Sequence, residues 1–230
     1  VAMPRASRRT ADGRWEPVGG DCPFMAGLPQ PQAPGPTRLP AVPGDVTDPL
    51  DWRGSAIPAG TALADLLVNR DNAYAYAMTD FARGEMLLLE GRAPRFPATR
   101  GGARRMGRGD VRYWSLCAYV HPSNRTAACL ADEDVPLAAD RGFRIVVAPA
   151  GRRPANARPA CGIAFLPAPG AGEGALILRH VAPDPRFPHT PLRVDAGADA
   201  SPVLGPYEPV GHYRSVAEIE AMGCSEGTSR

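Results

Sequence analysis

The chain has 230 residues, 44% of them hydrophobic, and a formal net charge of +2. That length suits one large β domain or two small ones, and the apolar content fits a packed core rather than a disordered chain. The charge is spread too thinly for a nucleic-acid footprint, which needs a clustered basic face. The longest apolar runs, Met86–Leu89 and Ala175–Leu178, are too short to span a bilayer.

Residues 1–58 read as an extended proline- and glycine-rich arm. Segments such as Gly27-Leu-Pro-Gln-Pro-Gln-Ala-Pro-Gly-Pro lack the amide donors of a continuous ladder. Such a stretch cannot bury its own surface, so it is expected to lie on its own domain, a sister subunit or another protein. All 26 basic residues are arginine, the mark of a GC-rich bacterial genome, and only residues 100–112 are locally basic.

From residue 59 the pattern becomes strand-like, and a β-sandwich is predicted over 59–212. Thr61-Ala-Leu-Ala-Asp-Leu-Leu fits a short helix or a strand. Asn72-Ala-Tyr-Ala-Tyr-Ala-Met alternates with period two, as a half-buried strand does. Phe81-Ala-Arg-Gly turns the chain, and Glu85-Met-Leu-Leu-Leu-Glu reads as its buried partner strand. Val111–Val120, Thr126–Leu130, Gly142–Ala148, Gly162–Leu166 and Ala175–Val181 supply further strands. Short strands between Gly, Pro and Asp turns point to an antiparallel β-sandwich or jelly roll, not to βαβ units. Within the tail, 213–230, Ser215 with Glu218 three residues on and Gly223 at the stop predict one short helix.

The cysteines are Cys22, Cys117, Cys129, Cys161 and Cys224, with no CxxC pair, so disulfides are favoured over zinc. A hairpin loop at Pro122-Ser123-Asn124 places His121 opposite Arg125 and Cys117 opposite Cys129, close enough to bridge. A second bridge is expected among Cys22, Cys161 and Cys224, with Cys161–Cys224 the preferred pair and the odd thiol left free or bridged to another chain. Disulfides imply a secreted, periplasmic or envelope location, with a signal peptide removed before Val1.

Several motifs fall in a known order: Tyr113-Trp-Ser-Leu-Cys-Ala-Tyr, Asp134-Val-Pro-Leu-Ala-Ala-Asp-Arg-Gly-Phe-Arg-Ile-Val-Val, Phe165-Leu-Pro-Ala-Pro-Gly and Leu176-Ile-Leu-Arg-His-Val-Ala-Pro. This order, over residues 110–185, resembles the C-terminal jelly-roll domain of the DUF1214/DUF1254 family and related secreted actinobacterial proteins. Phe165 stands where that family has Trp, His180 stands near its usual Tyr, and the cysteines lie outside its pattern. The resemblance implies a β-sandwich in an exported bacterial protein. It implies no agreed activity.

Candidates for chemistry are few. His180, Asp184 and His189, with Arg179, form the tightest polar group, read either as a metal or acid–base site at the open end of the sandwich or as a strand-end histidine bonded to a backbone carbonyl beside unrelated loop residues. Asp132-Glu133-Asp134 lacks the spacing of an EF-hand loop and reads as a solvated turn. Tyr113 and Trp114 fit core packing or a platform for a sugar, with Trp114 and Leu116 on one face and Tyr113, Ser115, Cys117 and Tyr119 on the other. No Gly-x-Ser-x-Gly elbow occurs. The expected function is therefore non-enzymatic: a subunit or accessory of an extracellular or envelope assembly, acting through protein contacts of its arm. A small-molecule binder or enzyme at the open end, and a polysaccharide-binding module, are the alternatives. No cofactor, metal or nucleic-acid partner is expected.

Overall fold

The computed structural model describes residues 7–10, 12, 15–17, 47–54, 71–81, 86–103, 109–121, 125–170 and 172–224. The chain divides into two compact units, Val1–Thr37 and Arg38–Arg230. In the first, β1 (Ser7–Arg9) and β2 (Trp15–Pro17) pair antiparallel, Arg8 opposite Glu16. Most of the proline-rich arm, the segment 61–67 and the turn 122–124 lie outside the described residues.

The second unit is an all-β sandwich of two sheets. One sheet has five strands in the order β3 (Arg53–Gly54), β4 (Asn72–Asp80), β10 (Glu173–Val181), β6 (Tyr113–Val120) and β7 (Arg125–Ala131). The other has four: β11 (Val210–Arg214), β5 (Met86–Arg92), β8 (Gly142–Pro149) and β9 (Ala164–Ala168). Period-two alternation decides what each strand buries. On β10, Leu176, Leu178 and His180 are buried, while Ala175, Ile177 and Arg179 between them are only half-buried. Trp114, Leu116 and Ala118 of β6 enter the same core, as the alternation predicts, with Leu87, Leu89, Ile145 and Val147 from the facing sheet.

The four-stranded sheet is buried on both sides. Met86 and Leu88 of β5 and Val146 and Ala148 of β8 pack outward into a second cluster with Ala157, Ile163 and Ile219. This is why Met86-Leu-Leu-Leu is a continuous apolar run and not an alternating one. Ile219 comes from α2 (Val216–Ala221), which follows α1 (Ser201–Leu204). At its start the Ser215 hydroxyl accepts from the Glu218 amide at 3.2 Å, and the Glu218 carboxylate accepts from the Ser215 amide at 2.7 Å, the capping box read from the sequence.

Both expected disulfides are present, Cys117–Cys129 and Cys161–Cys224. The hairpin register needs correction. Val120, not His121, lies opposite Arg125, and Tyr119 opposite Thr126. A bulge then leaves Ala127 unpaired and restores Ala118 opposite Ala128 and Cys117 opposite Cys129. A single extra residue in β7 cancels the one-residue slip, so the bridge survives.

Three other expectations are corrected. β5 is not the partner of β4: it pairs with β8 and β11, because an apolar run buried on both faces belongs in the doubly covered sheet. β8 and β9 run parallel, Val147 opposite Leu166, so the sandwich is not wholly antiparallel. Their crossover, 150–163, covers the sheet's outer face and is tied to the end of α2 by Cys161–Cys224. Within the segment read as arm, Leu50 and Trp52 belong to the core, and the Trp52 indole donates to the Pro209 carbonyl at 2.6 Å.

Candidate functional site

The end of β10 and the approach to β6 lie together, and a cleft of about 300 Å³ opens there, lined by Arg95, Gly109, Asp110, Asp184, Arg186 and Phe187. Two backbone bonds build it. The Asp110 amide donates to the Arg95 carbonyl at 2.7 Å, and the Asp184 amide donates to the Asp110 carbonyl at 2.8 Å. Gly109 is required by close approach, since a Cβ there would stand 2.8 Å from the Arg95 carbonyl and 2.9 Å from that of Val111.

Each carboxylate is clasped by one arginine. Asp110 accepts from the Arg95 amide at 2.8 Å and from its guanidinium Nε at 3.0 Å and Nη2 at 2.7 Å. Asp184 accepts from the Arg186 amide at 2.8 Å, from Nε at 3.0 Å and from Nη2 at 2.9 Å. Burial pushes the Asp110 carboxyl up, but the bonds from Arg95 outweigh it and hold its pKa below the ordinary value. The Arg186 guanidinium and amide hold Asp184 at about 2. Both groups are ionised at neutral pH, so neither can serve as a general acid.

More arginines stand in the same region. Arg141 donates to the carbonyls of Ala93 at 3.0 Å and Pro94 at 2.5 Å, and its guanidinium lies 5.1 Å from the Phe96 ring. Burial lowers the Arg141 pKa, with the Asp110 charge acting against that effect. Arg193 donates to the Pro185 carbonyl at 2.7 Å, and Arg92 sits 6.0 Å from the Tyr207 ring. Arg141 (φ 70°) and Ala182 (φ 44°) are the non-glycine residues with positive φ among those described. Arg141 feels the charge of Asp110, and Ala182 precedes Asp184 by two positions, so both strained residues belong to this region.

Behind the cleft runs a chain of rings. His180 and Phe187 have centroids 6.2 Å apart, Phe187 and Tyr207 5.1 Å, and Tyr207 and His189 5.3 Å. His180 is 1% exposed, and neither ring nitrogen has a hydrogen-bond partner among the described residues. Burial lowers its pKa from 6.5 to about 4, so it is neutral.

The four residues read as a polar cluster are therefore divided. Asp184 lines the cleft, and His180 is sealed behind Phe187. His189 Nδ1 is bonded to the Val203 carbonyl at 2.9 Å. Arg179 lies on the opposite face of β10, 5.4 Å from the Tyr74 ring, since neighbouring strand residues point to opposite sides. Trp114 is no open platform: it is 1% exposed and stacks on Phe143 at 5.6 Å. Tyr113 is half-buried on the outer face. The acidic run at 132–134 is also engaged. Asp132 accepts from the Glu133 amide, Glu133 from the Thr99 hydroxyl and Arg100 amide, and Asp134 pairs with the Arg100 guanidinium.

Sequence reading passed over Arg95, Gly109, Asp110, Arg186 and Phe187. Asp184-Pro-Arg186 carried a local signal, a carboxylate and a guanidinium two residues apart after a strand. Nothing local could join Arg95 to Asp110 across a loop.

No helix among the described residues is long and apolar enough to cross a membrane. No protein-family model matches the chain, and no curated protein matches it. Among solved structures it is similar to an uncharacterized protein of Burkholderia cenocepacia, at 16% identity and a TM-score of 0.44 over 74% of this chain and 35% of that one. It is also similar to the VPA0106 protein of Vibrio parahaemolyticus, at 16% identity and a TM-score of 0.34 over 62% of this chain and 31% of that one. The chain thus spans about a third of the length of these two structures.

Proposed function

We propose that the chain is a non-catalytic binding module of an exported bacterial protein, with the arginine–aspartate cleft as its recognition site. The observation that carries this reading is the clasping of Asp110 and Asp184 by Arg95 and Arg186 at the mouth of a small cleft. Such pairs hold polar groups in fixed positions, which favours recognition, and they withhold the proton donor that hydrolysis or transfer would need. Two disulfides support an oxidising compartment outside the cytoplasm. The motif order over residues 110–185 supports kinship with the DUF1214/DUF1254 family.

The test is a thermal-shift screen of the whole chain against sugars, organic acids, amino acids and nucleotides, with nuclear magnetic resonance of each ligand after incubation. One class is expected to raise the melting temperature and to be recovered unchanged. Silence from every class, or chemical conversion of the bound compound, overturns the reading.

A second reading, contact with a partner protein through the N-terminal arm, is favoured by the β1–β2 pair, which closes a small sheet within a unit of its own. Removing residues 1–37 should then shrink the assembly seen by light scattering. An unchanged number of copies per particle rejects it.

A further inference from the structure

We infer that the cleft takes a small, multiply charged oxyanion, such as a di- or tricarboxylate or a phosphate ester; this rests on the cleft being a binding site. Arg95 and Arg186 line the cleft beside Asp110 and Asp184, and two further guanidinium groups stand near it, Arg141, which feels the Asp110 charge, and Arg193, bonded to the Pro185 carbonyl next to Asp184. The neighbourhood is therefore cationic although the chain as a whole is almost neutral.

The geometry assigns separate tasks within each pair. Arg95 and Arg186 each bond their aspartate through Nε and Nη2, which fixes the plane of the guanidinium. The remaining Nη1 of each makes no hydrogen bond among the described residues. The two side chains are 73% and 90% exposed and both line the cleft, so donors not used on the aspartates are open to solvent. A guanidinium already held in place loses little freedom when a ligand oxygen arrives, so the aspartates prepare the arginines for a second acceptor. A cation has no comparable welcome. The Asp110 and Asp184 oxygens already accept bonds from an amide and a guanidinium each.

Size narrows the class. About 300 Å³ lies at the lower end of small-molecule sites, and Phe187 is the one large apolar lining residue. A polar molecule of few carbons fits these limits, and a long apolar ligand does not. Two arginines whose donors open on one cleft favour a ligand with two anionic groups, or one tetrahedral oxyanion with several acceptors.

Isothermal titration calorimetry of the whole chain with citrate, with inorganic phosphate and with glucose decides the matter. Citrate or phosphate is expected to bind, and the stronger of the two separates a carboxylate from a phosphate source. Arg186→Gln should weaken that binding about tenfold, and raising sodium chloride from about 50 to about 500 mM should weaken it further. Arg186 is highly exposed, and Arg186→Lys, which keeps the charge and loses the fork, should fall between wild type and Arg186→Gln. Glucose binding without anion binding overturns the oxyanion class and leaves the site standing. Anion binding that Arg186→Gln does not change overturns the assignment to this cleft. Absence of heat from all three, together with a silent thermal-shift screen, sinks both the class and the site.

Discussion

Arg95 and Asp110 hold each other through main chain and side chain at once. Each amide donates to the other residue, Arg95 to the Asp110 carboxylate at 2.8 Å and Asp110 to the Arg95 carbonyl at 2.7 Å, while the guanidinium closes on Oδ1. The pair joins two segments 15 residues apart and shapes one wall of the cleft. Asp110 is 8% exposed, so its charge depends on these bonds rather than on water.

Asp110→Asn keeps the shape and removes the charge. It should cost about 1 kcal/mol at neutral pH, because the Asp110 carboxylate is buried but its Arg95 partner is largely exposed and screened. The folded-state pKa of Asp110 is depressed, so this stability is fully present above the unfolded aspartate value of about 3.9. It disappears as pH falls through the lower folded value. The difference in urea midpoint between wild type and variant should be full at pH 7 and shrink as pH falls below about 3.9.

His180 acts in the same direction for the opposite chemical reason. Its neutral form is favoured by burial, with a folded pKa of about 4 against 6.5 for the free group. Stability is complete above pH 6.5. Below it the unfolded chain takes up a proton that the folded chain refuses, and stability falls until pH reaches about 4. The loss should total about 3 kcal/mol across that window, from the pKa difference. His180→Phe should flatten the melting temperature between pH 6.5 and 4. An unchanged slope would place the acid sensitivity elsewhere.

Gly109→Ala tests the wall of the cleft. The added Cβ meets two carbonyl oxygens within 3 Å, both belonging to backbone that cannot swing aside. A loss of about 3 kcal/mol is expected, at the upper end for overpacking. Gly102→Ala is a poor control because its φ is +87°, whereas Gly151→Ala meets open space and should cost less than about 1 kcal/mol. Equal melting temperatures for Gly109→Ala and Gly151→Ala would contradict the packing described.

The two disulfides should differ in worth. Cys117–Cys129 closes a separation of 12 residues and Cys161–Cys224 one of 63. Loop-closure entropy assigns about 3 kcal/mol to the shorter and about 4 kcal/mol to the longer. The longer also secures α2, whose Ile219 fills the outer core. The Cys161→Ser, Cys224→Ser double variant should therefore have the lower urea midpoint, and a reversed order would count against this account.

Much of the fold could be read from neighbouring residues. Leu176, Leu178 and His180 alternate with Ala175, Ile177 and Arg179, so β10 declared both its strand character and its buried face. The same alternation separated Arg179 from His180, which is why they could never share a site. Asp184 was recognised as part of a polar group, but its partner proved to be Arg186 and not a histidine. The arm residues Leu50 and Trp52 were hidden by the prolines around them, although two large apolar side chains are costly to leave in water.

What the amino-acid order determined alone was local: period-two strands, a capped helix, and a hairpin close enough to bridge Cys117 to Cys129. Each depends on contacts a few residues apart, where backbone geometry leaves few choices. Which sheet β5 would join, the parallel course of β8 and β9, and the meeting of Arg95 with Asp110 and of Asp184 with Phe187 at one cleft were decided by the tertiary structure. Those choices depend on which distant surfaces exclude water together and which charges find partners as they do, and no short stretch of chain contains that information.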